Sequence, residues 1–489
     1  MSGKTGSLIV FAVALLASPG LALDEVGPVA FDGPNDSEFR ITASNRIRGE
    51  FVDWWKTDPS GPSPNSSYNF MGNRFQLGVG FQMEWLEIFA QFQHTLLAAL
   101  PAPGGPGPGG VYYANTPRRF QESPILRHAW ARIEGWGALE DFSVMGGRMP
   151  YLDGMQAPAS NPALLALQRS RIGQRLIGPF EYTMVGRSFD GGKVSWQNDK
   201  LNATFFGFIP TQGGFEINGN PQISEINVGG ASLNLRDSKV TPNTIGRFFW
   251  FWYNDDRDIV VLDNRPAPER QATAGEKIGI STIGANVVHI EPLGPGRADV
   301  LAWGVGQWGE WQDLNHTAWA FTAEAGYALP DVWGSPWLRA GFTSGSGDSD
   351  PNDGTHGTFF EMLPTARIYA LTPLYNMMNN KDAFLEFLLQ PHATVALRSD
   401  FHWLRVNSTS DFAYFGGGAT SDTFFGYGGV PADGRTDLAY LLDFSVTWTP
   451  TRNVMVYGYY GHGFGQGIAN TNFLTKDLNY GYIELTLSL

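Results

Sequence analysis

The residues best suited to chemistry in this chain are arginines, and they recur in steps of two. Arg46 and Arg48 are two positions apart, and Arg74 is followed in step by Gln76, Gly78, Gly80 and Gln82. Arg132 is in step with His128, Trp130 and Glu134, Arg339 with Gly341 and Thr343, and Arg398 with Asp400 and His402. A guanidinium is a permanent cation with five donors in a planar fork, which suits two-handed binding of carboxylates. Rows of such groups along one wall of a water-filled path draw anions in, and interspersed Asp and Glu keep each contact weak enough for the solute to move on. The competing reading is structural: buried arginines pair with Asp and Glu and stiffen the wall that holds them. For any single arginine that reading is at least as good; the set favours a selective anion path. Arginine outnumbers lysine about three to one, consistent with that bias.

Other chemistries find less support. The chain has no cysteine, which excludes disulfides, thiolate metal sites and thiol nucleophiles. There is no His-Glu-x-x-His, no Gly-x-Ser-x-Gly and no phosphate-binding loop. His392 and His402 sit on strand-like faces, but no serine is singled out as their partner, so an outer-membrane enzyme such as a lipase is only an alternative and no catalytic residue is assigned. The turn-rich stretch 345–354 carries Asp348, Asp350, Asn352 and Asp353, oxygen ligands of the kind calcium takes. Its glycine falls one position late for a helix–loop–helix calcium loop and Phe359 stands where the bidentate Glu belongs, so a solvated turn is the better reading. No cofactor is expected.

These arginines need strands to hold them. In 479–489, Tyr480, Tyr482, Glu484, Thr486 and Ser488 alternate with Gly481, Ile483, Leu485, Leu487 and Leu489. Strict alternation over about ten residues lets a tilted strand cross a bilayer with one face in hydrocarbon and one in water. Residues 40–56, 72–85, 87–97, 126–136, 141–148 and 438–449 read the same way, as do 188–197, 201–210, 244–254, 278–290, 299–307, 317–327, 337–343, 392–405 and 453–462. Residues 259–262 are a further candidate. The expectation is an all-β fold: one transmembrane antiparallel β-barrel of roughly 16 to 18 strands, with short periplasmic turns and long extracellular loops. Trp55, Trp85, Trp136 and Trp448 fall near strand ends, where an interfacial girdle belongs. Arg148 has the parity of Phe142 and Val144, and would turn inward only if Gly146-Gly147 formed a bulge. The stretches 149–186 and 344–391 are long enough to fold over a pore and gate it, and 382–389 is a candidate short helix in the lumen.

Composition agrees. The chain holds 60 Gly, 16 Trp, 17 Tyr and 34 Phe in 489 residues, and its formal charge of −14 argues against nucleic acid. Residues 1–22 read as a secretory signal, with Lys4, an apolar 8–17 and small residues ending at Ala22. Residues 23–38 form an acidic periplasmic tail, and 39–489 the barrel, placed in the outer membrane.

Several short stretches then resemble the alginate-export family of outer-membrane barrels. They are Met71-Gly72-Asn73-Arg74 with the run from Gly80 to Trp85, and Arg127-His128-Ala129-Trp130 with Gly147-Arg148. Gly186-Arg187-Ser188-Phe189-Asp190-Gly191 and Ser346-Gly347-Asp348, followed by Thr358-Phe359-Phe360 and Pro364, complete the likeness. The resemblance implies a monomeric 18-stranded barrel in which an arginine-lined constriction passes an acidic polysaccharide out of the cell. Arg74, Arg127, Arg148 and Arg187 carry over by matched motif; Arg46, Arg48, Arg132, Arg339 and Arg398 rest on parity. Candidate partners are outer-membrane lipid, an anionic polysaccharide or small anionic solute, and periplasmic export proteins. A general or small-solute uptake porin stays open as the alternative.

Overall fold

The computed structural model describes residues 29–34, 36–57, 66–137 and 139–489. The expected signal (1–22) and the start of the tail lie outside them. The first described segment, β1 (Val29–Asp32), is a strand antiparallel to the start of β2 (Glu38–Asp53). The chain then runs through β3 (Ser67–Met83), β4 (Leu86–Ala98), β5 (Gln121–Trp136), β6 (Leu139–Met149), β7 (Phe189–Gln197) and β8 (Leu201–Pro210). It continues through β9 (Ile226–Leu235), β10 (Thr244–Asp255), β11 (Ile278–Leu293), β12 (Gly296–Trp311), β13 (Leu314–Ala328) and β14 (Trp337–Gly345). After the short β15 (Thr355–His356) come β16 (Asn380–His392) and β17 (Val395–Val406), the hairpin β18 (Phe412–Gly416) and β19 (Tyr427–Pro431), then β20 (Asp437–Thr451), β21 (Val454–Gly465) and β22 (Asp477–Ser488).

Eighteen of these strands form a closed antiparallel barrel, sealed where β22 pairs with β2 in the register Arg46↔Thr486 and Arg48↔Glu484. Period two decides which face meets lipid. On β22, Tyr480, Tyr482 and Glu484 are buried inside while Ile483 is 71% exposed outside. On β3, Phe75, Leu77 and Val79 are exposed outward and Arg74 is buried inward. Short turns such as Glu84-Trp85 between β3 and β4, and Ala393-Thr394 between β16 and β17, gather at one end with the start of β2 and the end of β22. That end is periplasmic in outer-membrane barrels. Trp85 and Trp136 stack 6.3 Å apart on the outer face there, as a girdle requires. Trp55 does not join it: it is buried, stacks on Phe473 and donates to Lys476 O.

An 18-stranded barrel is too wide for side chains from its own wall to fill. Here two long loops fill it. In loop 150–188 a short helix, α1 (Pro162–Leu167), starts at Asn161, whose side chain accepts from Ala163 N and Leu164 N, with Pro at its first turn. It runs into a wider turn, Gln168–Ile172. Loop 346–379 meets it through backbone hydrogen bonds, Leu363 N to Leu176 O (2.8 Å) and Gly178 N to Leu363 O (2.8 Å). Leu164, Leu167, Leu176, Phe359, Met362 and Leu363 are fully buried at this junction. Packing of that kind inside the barrel is a plug, held by apolar burial as a domain core is.

Three sequence expectations need correction. Residues 382–389 are not a lumenal helix but the middle of strand β16, with Asp382, Glu386 and Leu388 buried inside and Leu385 and Phe387 exposed outside. The second loop therefore ends at 379. Residues 259–262 are not a strand, and β9, a Gly-rich strand, was missed.

Candidate functional site

The lumenal arginines fall into two groups on different stretches of wall. In the first, Arg46, Arg48 and Arg74 project from neighbouring strands β2 and β3, as parity predicts, and are buried. Glu484 on β22 meets Arg48 (2.6 Å) and Arg46 (3.7 Å), and Glu50 meets Arg48 (3.3 Å). Arg127 joins this group although its parity is that of the lipid-facing residues of β5. A register shift opposite Gln91 and Phe92 inserts it as a bulge between Leu126 and His128, and it turns inward. Loop residue Glu181 then collects the group: its carboxylate meets Arg74 (2.5 Å) and Arg127, and its carbonyl accepts from Arg46 Nη1 (3.0 Å). Burial works against the charge on Glu181, but Arg127, Arg74 and Arg46 outweigh it and hold its carboxyl well below the usual range.

The second group lies on strands β12 to β17. Arg339 on β14 meets Asp299, Glu324 (2.9 Å) and Glu386 (3.7 Å). Arg398 on β17 meets Asp400 (2.7 Å) and Glu386 (3.1 Å). Two loop arginines, Arg171 and Arg175, dock onto the same acids, with Arg171 bidentate on Glu324 at 2.8 Å for each contact. Every arginine here is neutralised, so this wall anchors the plug.

The remaining predicted residues are placed as follows. Arg132 faces the periplasmic end of the lumen and pairs with Glu87 (2.6 Å) and Glu134 (3.4 Å). Arg187 is buried between loops and donates to Ala419 O (2.9 Å), tying loop 150–188 to loop 407–436. Arg148 is a correction: β6 runs without a bulge at Gly146-Gly147, and Arg148 keeps its outward parity, bidentate on Asp190 at 2.7 Å for each contact. Asp348, Asp350 and Asp353 accept from the backbone NH groups of Asp350, Asn352 and Thr355 respectively (3.0, 3.0 and 2.8 Å), the bonding of an acidic turn.

Sequence reasoning missed Arg367. It lies in loop 346–379, where no periodicity points to it. Its guanidinium sits over the rings of Tyr459 (4.4 Å) and Tyr482 (4.9 Å), with Tyr182 and Tyr480 at 5.4 Å each. It donates to Tyr482 Oη (2.7 Å) and to Leu371 O, meets no carboxylate among the described residues, and leaves Nη2 without a partner. Arg46, Arg74, Arg367 and Glu181 line a cavity of about 410 Å³. Ser44 and Ser488, near the periplasmic ends of β2 and β22, line its lower part. A second cavity of about 410 Å³ is lined by Arg132, Arg169, Lys193 and Glu87. The two share Trp130, Pro150, Leu152 and Gln174, and together form a periplasmic vestibule. Six cationic side chains face it against the carboxylates Glu181 and Glu87. Above it the lumen is filled by Met184, Leu371, Tyr459, Tyr480 and Tyr482.

The profile of the alginate export family matches residues 168–464. The chain belongs to the alginate export family. No curated protein sequence matches it. Among solved structures it superposes on OccK9 (OpdG) of Pseudomonas aeruginosa with a TM-score of 0.57 at 10% identity, covering 92% of this chain and 98% of that chain. A BenF-like porin from Pseudomonas fluorescens Pf-5 gives the same values, TM-score 0.57, 10% identity, 92% and 98% coverage. Pseudomonas aeruginosa OpdK with vanillate gives 0.56 at 8% identity with 92% and 98% coverage. At these identities the likeness is one of fold. Family and fold together make this family member an outer-membrane β-barrel pore.

Proposed function

We propose that this alginate export family member passes an anionic solute, an acidic polysaccharide of alginate-like chemistry, from the periplasm through its arginine-rich lumen. The observation that carries the reading is the vestibule. Six cations against two carboxylates make a positive chamber at the periplasmic end, and low-dielectric walls focus its field. Arg367 stands at the inner end of that chamber without an acid partner, so a uronate carboxylate reaching it displaces no ion pair. Arg46 and Arg74 beside it already share carboxylates with the protein and exchange them for those of a passing chain. Passage requires the plug formed by loops 150–188 and 346–379 to move.

A second reading, uptake of small carboxylates, is favoured by the superposition on OpdK, whose structure was determined with vanillate. Single-channel current in a planar bilayer under a salt gradient separates the two. Export of a polyuronate predicts anion selectivity and block by oligouronate at far lower concentration than by a monomeric carboxylate. Arg367→Gln is expected to weaken that block about tenfold, the loss of one charge-assisted contact. Equal block by monomer and oligomer would support small-solute uptake, and indifference to both would overturn the anion reading.

A further inference from the structure

The acid–arginine wall carries more negative than positive charge, and the excess gathers at one point. Arg171, Arg175, Arg339 and Arg398 face Asp299, Glu324, Asp382, Glu386, Asp400 and Asp443, all buried on this side of the lumen. Four cations thus meet six carboxylates, and buried charge without compensation is costly. Asp400 and His402 lie two apart on the inner face of β17, and Asp443 on β20 is the register partner of Asp400. One donor atom from each of Asp400, His402 and Asp443 lies within 4.8 Å of the others, and all three residues are no more than 1% exposed. His402 Nδ1 is 2.8 Å from Asp382 Oδ2, while its Nε2 is buried without any partner.

We propose that Asp400, His402 and Asp443 bind a divalent first-row transition-metal cation through two carboxylate oxygens and His402 Nε2. A metal-bound histidine characteristically donates its other ring N–H to a carboxylate, and Asp382 is placed to accept it. A mixed nitrogen and oxygen donor set suits zinc, cobalt or manganese better than calcium or magnesium, which favour oxygen alone. Two positive charges balance the wall's excess of two carboxylates.

The carboxylates have other partners, and these define what the ion touches. Asp400 holds Arg398 mainly through Oδ2, leaving Oδ1 with lone-pair capacity. Asp443 Oδ2 accepts from Leu371 N (3.0 Å) and Thr372 N (3.2 Å), and its Oδ1 from the hydroxyls of Thr372 (2.7 Å) and Tyr459 (2.7 Å). A hydroxyl can rotate away to free Oδ1 for the ion, whereas the two backbone N–H bonds on Oδ2 persist. The ion therefore sits behind the carboxylate that clasps loop 346–379 to the wall, and the backbone bonds from Leu371 and Thr372 keep that clasp when the ion is bound.

The test is Co²⁺ and Zn²⁺ titration of the full-length, detergent-solubilised barrel after chelator treatment. One equivalent of Co²⁺ with visible d–d absorption, displaced by Zn²⁺, is expected. His402→Gln should weaken binding at least tenfold, and Asp382→Asn by 10- to 100-fold through loss of the orienting acceptor. Heat-modifiable gel mobility confirms that each variant is folded. Zinc-edge X-ray absorption of the wild type, which needs no variant, should show one imidazole per ion. Absence of stoichiometric Co²⁺ binding, wild-type affinity in folded His402→Gln, or a zinc shell with two imidazoles or none would each overturn the proposal.

Discussion

Glu181→Gln tests whether the plug is held by charge. Glu181 is the carboxylate through which loop 150–188 grips the first arginine group, meeting Arg74 at 2.5 Å and also pairing with Arg127. The substitution keeps the shape of the side chain and removes its charge, leaving two guanidiniums facing a neutral amide. Breaking a buried ion pair from one side costs about 3–5 kcal/mol. The Glu181 side chain is 24% exposed to the vestibule, so water screens part of that loss and about 2–3 kcal/mol is the better figure. If that energy separates the seated from the lifted loop, the balance shifts by roughly 30- to 150-fold. Single-channel recording should then show open probability rising by one to two orders of magnitude, with stronger anion selectivity because two arginines are released. Limited proteolysis should cut within 150–188 in the variant and not in the wild type. An unchanged open probability with an equally protected loop would refute the reasoning and leave the plug held by the Arg171–Glu324 docking and apolar packing.

Other outcomes follow from the same structure. The Glu181 carboxyl is held below its ordinary value, so its contribution is fully present above about pH 4.5 and is lost only as pH falls through the lower folded value. Loop protection should therefore stay flat from pH 8 to about pH 5 and weaken only in stronger acid; a midpoint near neutrality would count against the pairing. Arg339→Gln leaves Asp299, Glu324 and Glu386 short of one cation in a fully buried cluster. It should cost about 3–5 kcal/mol and lower the temperature at which the folded band is lost on gels, whereas wild-type heat resistance would show that the neighbouring arginines compensate. Ile483→Arg places a charge on the lipid face of β22, where Ile483 is 71% exposed. Folding into vesicles should lose about 2–4 kcal/mol at mid-bilayer depth, and wild-type insertion yield would contradict the assigned face.

What the chain determined by itself was the wall. In β22 and β3 the alternation is strict, because one face must enter hydrocarbon and the other must not, so a period of two is written into residue type. Arg46, Arg48, Arg74, Arg339 and Arg398 were legible for that reason, and each is buried or largely buried on the lumenal face. Tertiary structure decided the rest. The stretch 382–389 reads as helical by composition, yet strand pairing to β14 and β17 overrides that preference and puts Asp382, Phe384, Glu386 and Leu388 on the inner face. Arg127 turned inward through a bulge, and Arg148 stayed outward for want of one; a bulge depends on how neighbouring strands register, which no single strand records. Arg171, Arg175, Arg187 and Arg367 come from loops, which have no period to read. Their roles exist only once those loops fold into the lumen against Glu324, Glu386 and the tyrosines of β21 and β22. The same applies to His402 and its three neighbouring acids: parity placed His402 with Asp400, but only the pairing of β16, β17 and β20 brought Asp382 and Asp443 to it.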